Sequence, residues 1–305
     1  MKQLLILFSL AAMLLPIQAQ TPDKEEMLFF TEEWTGERFE DGRPKVADAV
    51  LERLKKVSIE EAWGVLRGKG YHNQFAGEWI ILHADQVMVG RALTVQYMPK
   101  RPEYAERALQ KGHENGRVGA MNSWPIDMLV EGDVYVADGY GKIKNGTLIG
   151  DNLGNSIYAK SKNGVVFNAS SRDLEGLERI EGFNAWVKGW DPTYLMESMV
   201  TGINTPIRMG EATVFPGDVV LAKKEGVIFI PSHLAEEVAI NAEFIMLRDQ
   251  FGISRLREGK YTPGQIDTRW TDEIKQDFLG WLDANPNKLP MSRSELDAFM
   301  KNRTW

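Results

Sequence analysis

Two short apolar runs separated by a helix-sized stretch constrain this fold more than any other feature. Gly132-Asp-Val-Tyr-Val-Ala-Asp138 is stopped by Gly139 and Gly141, and Gly164-Val-Val-Phe-Asn168 is almost continuously apolar. Between them, Asn155 to Lys162 has helix character. Strand, crossover helix, strand is the pattern of a parallel unit, and its connection is right-handed. This predicts an α/β fold. The chain has 305 residues, 43% hydrophobic and 26% charged, enough for one large domain with appendages. Disorder, collagen and coiled coil are excluded.

Other elements fall around that unit. Val46, Val50, Leu51 and Leu54 recur at helical spacing, and Ser58-Ile-Glu-Glu61 is a capping box, so two helices precede the sheet. Trp79 to Tyr97 is β-rich, with His83-Ala-Asp85 and Gly90 interrupting it, and Pro102 to Lys111 reads as a helix. Thr213 to Ala222 and Gly226 to Ile230 read as two strands joined by Lys223-Lys-Glu225. Pro231-Ser232 then opens a long helix ending before Gly252. Further helices are predicted from about Thr271 to Asp283 and after the capping box Ser292-Arg-Ser-Glu295.

Residues 1–19 combine Lys2, an apolar run from Leu4 to Leu15 and the small residue Ala19, the layout of a secretory signal peptide. The run is about 12 residues against the roughly 20 that span a bilayer. The expected organisation is a signal peptide over 1–19, an N-terminal arm over 20–43, an α/β domain over 44–252 and a C-terminal helical extension over 253–305. The mature chain is expected to be exported, periplasmic or secreted, with no membrane attachment after cleavage. The absence of cysteine excludes disulfides, zinc-thiolate sites and a thiol nucleophile. A net charge of −7 gives no broad positive field, so nucleic acid is not an expected partner.

His72, His83, His113 and His233 fall at no metal-ligand spacing, although His83 and Asp85 would share one face of a strand. No Gly-x-Ser-x-Gly elbow and no phosphate-cradling glycine loop is present. Trp63, Trp79, Trp186 and Trp281 sit among apolar residues and read as core, while Trp190 beside Asp191-Pro192 is the candidate to line a cleft. The strongest cluster is Gly150-Asp151-Asn152-Leu153 with Ser171-Arg172-Asp173. Asp151 opens a helix whose first amides can meet an anion, and Arg172-Asp173 lies just past an apolar strand, where α/β sheets place ligands. Carboxylate oxygen suits a hard divalent cation, and an arginine beside it can hold a substrate carboxylate or enolate. A surface ion pair is the plain alternative for Arg172-Asp173.

Gly90-Arg-Ala-Leu-Thr-Val95, Gly132 to Gly139, Gly150 to Leu153, Asn163 to Asp173, and Pro216 to Ala222 followed by Glu225 to Pro231 resemble, in this order, the RraA-like family. That family includes class II 4-hydroxy-4-methyl-2-oxoglutarate aldolases and regulators of ribonuclease E activity. The resemblance covers roughly residues 45 to 245. It implies a swivelling-domain-like α/β sandwich, assembled as a homotrimer or hexamer with sites between subunits. It also implies Asp173 as metal ligand for Mg²⁺ or Mn²⁺, Arg172 as a substrate-binding and catalytic arginine, and Gly150, Asp151, Asn152 and Leu153 as the substrate loop. An acidic residue from a neighbouring subunit completes the family's site. Gly154-Asn155, Lys188 and both terminal extensions depart from the family pattern.

The reaction that this resemblance implies is metal-dependent carbon–carbon cleavage of a 2-oxo acid, such as 4-hydroxy-4-methyl-2-oxoglutarate or oxaloacetate, through an enolate. Asp151 would orient a water that takes the proton of the 4-hydroxyl. A non-catalytic trimeric binding or regulatory protein and an exported sugar-acid lyase using the same site are the alternatives.

Overall fold

The computed structural model describes residues 20–301, so the signal peptide expected over 1–19 lies outside the described residues. The arm contains α1 (Lys24–Phe30), started by Asp23, whose side chain accepts from the Glu26 amide. Helices α2 (Asp48–Leu54) and α3 (Ile59–Gly68) precede the sheet as expected, and Ser58 and Glu61 cap α3 reciprocally. Strands β1 (Phe75–Ala76), β2 (Ile80–Ile81) and β3 (Met88–Pro99) follow. Helices α4 (Pro102–Glu114) and α5 (Trp124–Asp127) lead to β4 (Asp133–Lys142). Next come α6 (Asp151–Ser161), β5 (Val165–Ser171), α7 (Leu174–Glu178), β6 (Ala185–Trp190) and β7 (Ser198–Ile203). A hairpin of β8 (Ile207–Met209) and β9 (Ala212–Val214) precedes β10 (Val219–Lys223) and β11 (Gly226–Ile230). The chain closes with α8 (Ala235–Arg257), α9 (Pro263–Ile266), α10 (Asp272–Ala284) and α11 (Arg293–Lys301).

The main sheet runs β1-β11-β10-β3-β4-β5-β6-β2. Its centre, β3-β4-β5-β6, is parallel, as the strand–helix–strand pattern predicts, and the flanking strands are antiparallel. β3 is long enough to pair with β10 over Met88–Arg91 and with β7 over Val95–Pro99. Alternation sorts the side chains onto two faces. Leu93, Val95, Tyr135, Ala137, Val165 and Phe167 meet helices α4 to α7 on one face. Val89, Val219, Leu221, Ile228 and Ile230 extend that face under α2, α3 and α8. Ala92, Val134, Val136, Val166 and Phe229 point the other way, onto the β8–β9 hairpin.

Between the two apolar clusters of the helix-bearing face lies a buried charge cluster. Asp133, with no exposure, accepts from Arg43 Nη2 at 2.8 Å, and Arg91 Nε stands 3.8 Å from its other oxygen. Arg91 also donates to the Val46 and Glu131 carbonyls and to Asp48. Phe39 places its ring 4.6 Å from the Arg43 guanidinium carbon and 5.5 Å from that of Arg91. Phe39 and Arg43 come from the arm, which is therefore built into the sheet face.

Several expectations are corrected. His83 and Asp85 lie in the turn between β2 and β3, not on a strand, and Asn184 holds that turn by bonding both the His83 amide and carbonyl. Thr213 to Ala222 is two strands rather than one, because Gly217 adopts φ +85° in the turn that Asp218 closes by accepting from the Phe215 amide. Trp63 is 38% exposed, its ring facing Arg67 instead of the core. α8 passes through Gly252 to Arg257. That glycine is a contact residue and not a stop: a Cβ there would sit 2.8 Å from Ile266.

The second half of α8 carries its own core. Phe244, Leu247 and Phe251 pack with Trp270, Phe278, Trp281, Leu296 and Met300 from the C-terminal helices. Asp277 fastens this unit: Arg255 grips it with two hydrogen bonds of 2.7 and 2.8 Å, and Lys260 stands 2.9 Å away. The Arg255 hydrogen bonds, aided by Lys260, hold the Asp277 carboxyl down to about 2. A depressed carboxyl contributes stability that is complete above its unfolded value near 4 and is lost as pH falls toward 2. Asp277→Asn is therefore expected to cost about 1–2 kcal/mol at pH 7 and to flatten the loss of stability between pH 4 and 2. Urea titrations across that range check it.

Candidate functional site

The site forms where β5 ends. The Arg172 amide donates to Ile149 carbonyl at 3.1 Å and the Leu148 amide to Ser170 carbonyl at 3.0 Å, so the segment before α6 runs beside the end of β5. Gly150 is the N-cap of α6, with no side chain to occupy the helix's free amides. Asp173, at φ +57°, caps α7 in the left-handed region, which aspartate tolerates better than most residues.

Glycines bring the two helices together. A Cβ on Gly154 would meet Leu177 at 2.2 Å, and one on Gly176 would meet Asp151 Cβ at 2.6 Å. Gly154 is thus what lets α7 sit against α6. At Gly150 a Cβ would lie 2.3 Å from Asp173 Oδ2 and 3.1 Å from Arg172 Nε. The bare backbone of Gly150 is pressed against both functional groups.

Arg172 Nε and Asp173 Oδ2 are 3.6 Å apart, and the side chains are 41% and 38% exposed. At that separation and exposure the pair contributes little to stability and both groups are available to a ligand. The adjoining cleft has a volume of about 90 Å³ and is lined by Gly150 to Leu153 and Arg172 together with Asn122, Thr147, Tyr194 and Leu195. Asp151 Oδ1 accepts from the Asn152 amide at 2.7 Å. Among the described residues no three His, Asp or Glu side chains form a ready cation cage. Asp173 offers one carboxylate, a donor set that fits Mg²⁺ or Mn²⁺ keeping water and substrate oxygens in its shell.

Asp151 and Arg172 line the cleft, and Asp173 stands beside it against Gly150 without lining it, while other candidates lie further outside. Trp190 packs against the core and does not line the cleft. The exposed Tyr194, four residues on, does. Lys188 turns away, donating to the Gly77 and Glu78 carbonyls over the Trp79 ring, and burial lowers its pKa. Asn122, which donates to the Leu148 carbonyl at 2.8 Å, carried no signal in the sequence.

This chain belongs to the RraA-like family, whose pattern, described as Aldolase/RraA, matches residues 44–229. The family includes aldolases and inhibitors of ribonuclease E. Streptomyces coelicolor RraAS2, described as an unusual member of the RNase ES inhibitor RraA protein family, is similar at 25% identity and TM-score 0.59, over 70% of this chain and 100% of that one. An uncharacterized protein from Pseudomonas syringae pv. tomato shares the fold at 20% identity and TM-score 0.59, over 74% of this chain and 100% of its own. The α/β fold expected from the family resemblance is the one observed, with helices added at the C-terminus.

Proposed function

We propose that the protein is a divalent-cation-dependent carbon–carbon lyase of the aldolase or decarboxylase type, acting on a 2-oxo acid in the cleft beside Gly150. The observation that carries this reading is the close approach of Gly150 to Asp173 and Arg172, which collects a carboxylate, a guanidinium and a helix N-terminus without an N-cap side chain at one point. Asp173 would hold the cation, Mg²⁺ or Mn²⁺. Bound there, such an ion supplies Lewis acidity toward charge developing on a keto oxygen.

Arg172 and the first amides of α6 bind the substrate carboxylate and keto oxygen. Asp151, at the mouth of the cleft, accepts the proton of the 4-hydroxyl through a water. With 4-hydroxy-4-methyl-2-oxoglutarate, the bond between C3 and C4 breaks and its electron pair stays with C3. The hydroxyl oxygen becomes the keto oxygen of one pyruvate, and protonation of C3 gives the second. Oxaloacetate loses CO₂ by the same electron flow and leaves one pyruvate.

Assembly into a homotrimer or hexamer, with an acidic residue supplied by a neighbour, belongs to the same reading, as does export to the periplasm or medium directed by residues 1–19. Purified protein is expected to release pyruvate from one or both substrates with Mg²⁺ or Mn²⁺ and to stop with chelator. Silence on both, with or without cation, overturns the reading in favour of a binding protein or a lyase for another sugar-derived acid. A monomer in a solution mass measurement would count against a shared site.

Gly150→Ala supplies a sharper test. The added methyl collides with the Asp173 carboxylate, so turnover is expected to fall at least tenfold, while overpacking at this buried glycine costs only about 1–2 kcal/mol of stability because the carboxylate it meets is 38% exposed and can yield. Activity and urea midpoint measured on the same preparation separate the two effects.

A further inference from the structure

A second cavity, of about 430 Å³, lies under the N-terminal arm and shares no lining residue with the Gly150 cleft. We propose that it binds a small organic cation, an amine or quaternary ammonium compound. Its charge would be directed at Asp218 and its apolar part laid against Phe30, Trp34 and Tyr71.

The floor of the cavity offers a buried carboxylate with no lysine or arginine beside it among the described residues. Asp218 is 6% exposed, and its oxygens accept from the Phe215 amide at 2.8 Å and the Ser232 amide at 3.2 Å. Among the described residues no lysine or arginine pairs with it, unlike Asp133 and Asp277. Burial pushes its carboxyl up to about 7, so near neutrality a large fraction of molecules carries a buried charge with no counter-ion. A ligand ammonium group supplies one.

The walls select the same chemistry. Glu33 and Glu211 also line the cavity, and none of the lining residues is lysine or arginine. His233 faces Tyr71 with 3.3 Å between ring nitrogen and hydroxyl, and burial lowers its pKa against the pull of Glu33, so burial works against a positive charge on this wall. Aromatic faces attract cations, and the volume lies within the roughly 300–1,000 Å³ typical of small-molecule pockets. A neutral polyol would stack on the same rings but leave the buried Asp218 carboxylate without a counter-ion.

The arm wall is built. Arg38 donates to Thr31 Oγ1 and to the carbonyls of Thr31, Trp34 and Gly42, at 2.7 to 2.8 Å, which fixes the loop that presents Trp34. Phe30 meets Phe215 across the rim with 6.4 Å between ring centroids.

Calorimetric titration of the whole protein at pH 8 with benzylammonium and benzyltrimethylammonium, beside benzyl alcohol as the neutral isostere, tests the proposal. Saturable one-to-one binding of the cations is expected, at least tenfold tighter than the alcohol. Trp34→Ala is expected to weaken it about fivefold and Asp218→Asn about tenfold. Should Asp218→Asn not fold, the surface pair Glu33→Gln with Glu211→Gln takes its place, with a severalfold loss expected. Equal binding of cation and alcohol, no saturable binding, or indifference to Trp34→Ala and to the carboxylate variants would each overturn it.

Discussion

Asp133→Ala is expected to remove about 3–5 kcal/mol of stability, the range for stripping one partner from a buried ion cluster. Arg43 and Arg91 are each 2% exposed and Asp133 is fully buried, so its loss leaves two guanidiniums facing each other across Phe39. Arg91 retains Asp48 and two carbonyls. Arg43 retains, among the described residues, the Phe39 ring and Asp41, whose carboxylate stands 3.9 Å from Nε. Burial pushes the Asp133 carboxyl up while both guanidiniums pull it down, and the hydrogen bond at 2.8 Å requires an acceptor there. Asp133→Asn, which keeps the shape and an acceptor but not the charge, is expected to lose most of the same stability. Urea unfolding at constant m-value checks this, and a near-neutral Asn variant would mean that charge is not what joins arm to sheet. Since Phe39 and Arg43 tie the arm down, Asp133→Ala is also expected to expose the arm to proteolysis before the sheet.

That cluster marks where the sequence stopped being legible. The parallel β4–α6–β5 unit was readable because its short, nearly continuous apolar runs and crossover length leave one solution, and the Ser58 and Ser292 capping boxes fixed helix starts locally. Arg43, Arg91 and Asp133 are far apart in the chain, and no local pattern announces that they meet. Gly252 misled for a related reason: a glycine in a helix pattern signals either a stop or a close neighbour, and only the position of Ile266 decides. Trp63 failed because an amphipathic helix also places apolar residues at the edge of its buried stripe. In the candidate site, Asp151, Arg172 and Asp173 could be brought together from strand ends and helix starts. Asn122 and Tyr194 could not, because they come from a single 3-10 turn and a loop whose course depends on the packed core.

Asp173→Asn is expected to lower kcat/KM by about a hundredfold or more under the proposed lyase function, with stability changed by less than about 1 kcal/mol. Asparagine is the informative replacement because it accepts the left-handed backbone at φ +57° as readily as aspartate does, so the turn into α7 is preserved. The carboxylate is 38% exposed and paired only loosely with Arg172, so its removal leaves no buried partner stranded. Arg172→Ala is expected to reduce kcat and raise KM together, because the guanidinium would hold the substrate both before and during cleavage. The two substitutions act on neighbouring groups that share the space beside Gly150. Their losses are therefore expected to be far from additive, and Gly150→Ala added to Asp173→Asn should cost little further activity. Additive losses would mean that Gly150 serves a different part of the cleft. Full turnover by Asp173→Asn with the fold intact would remove Asp173 from the chemistry, leaving its left-handed turn as a purely structural link between β5 and α7.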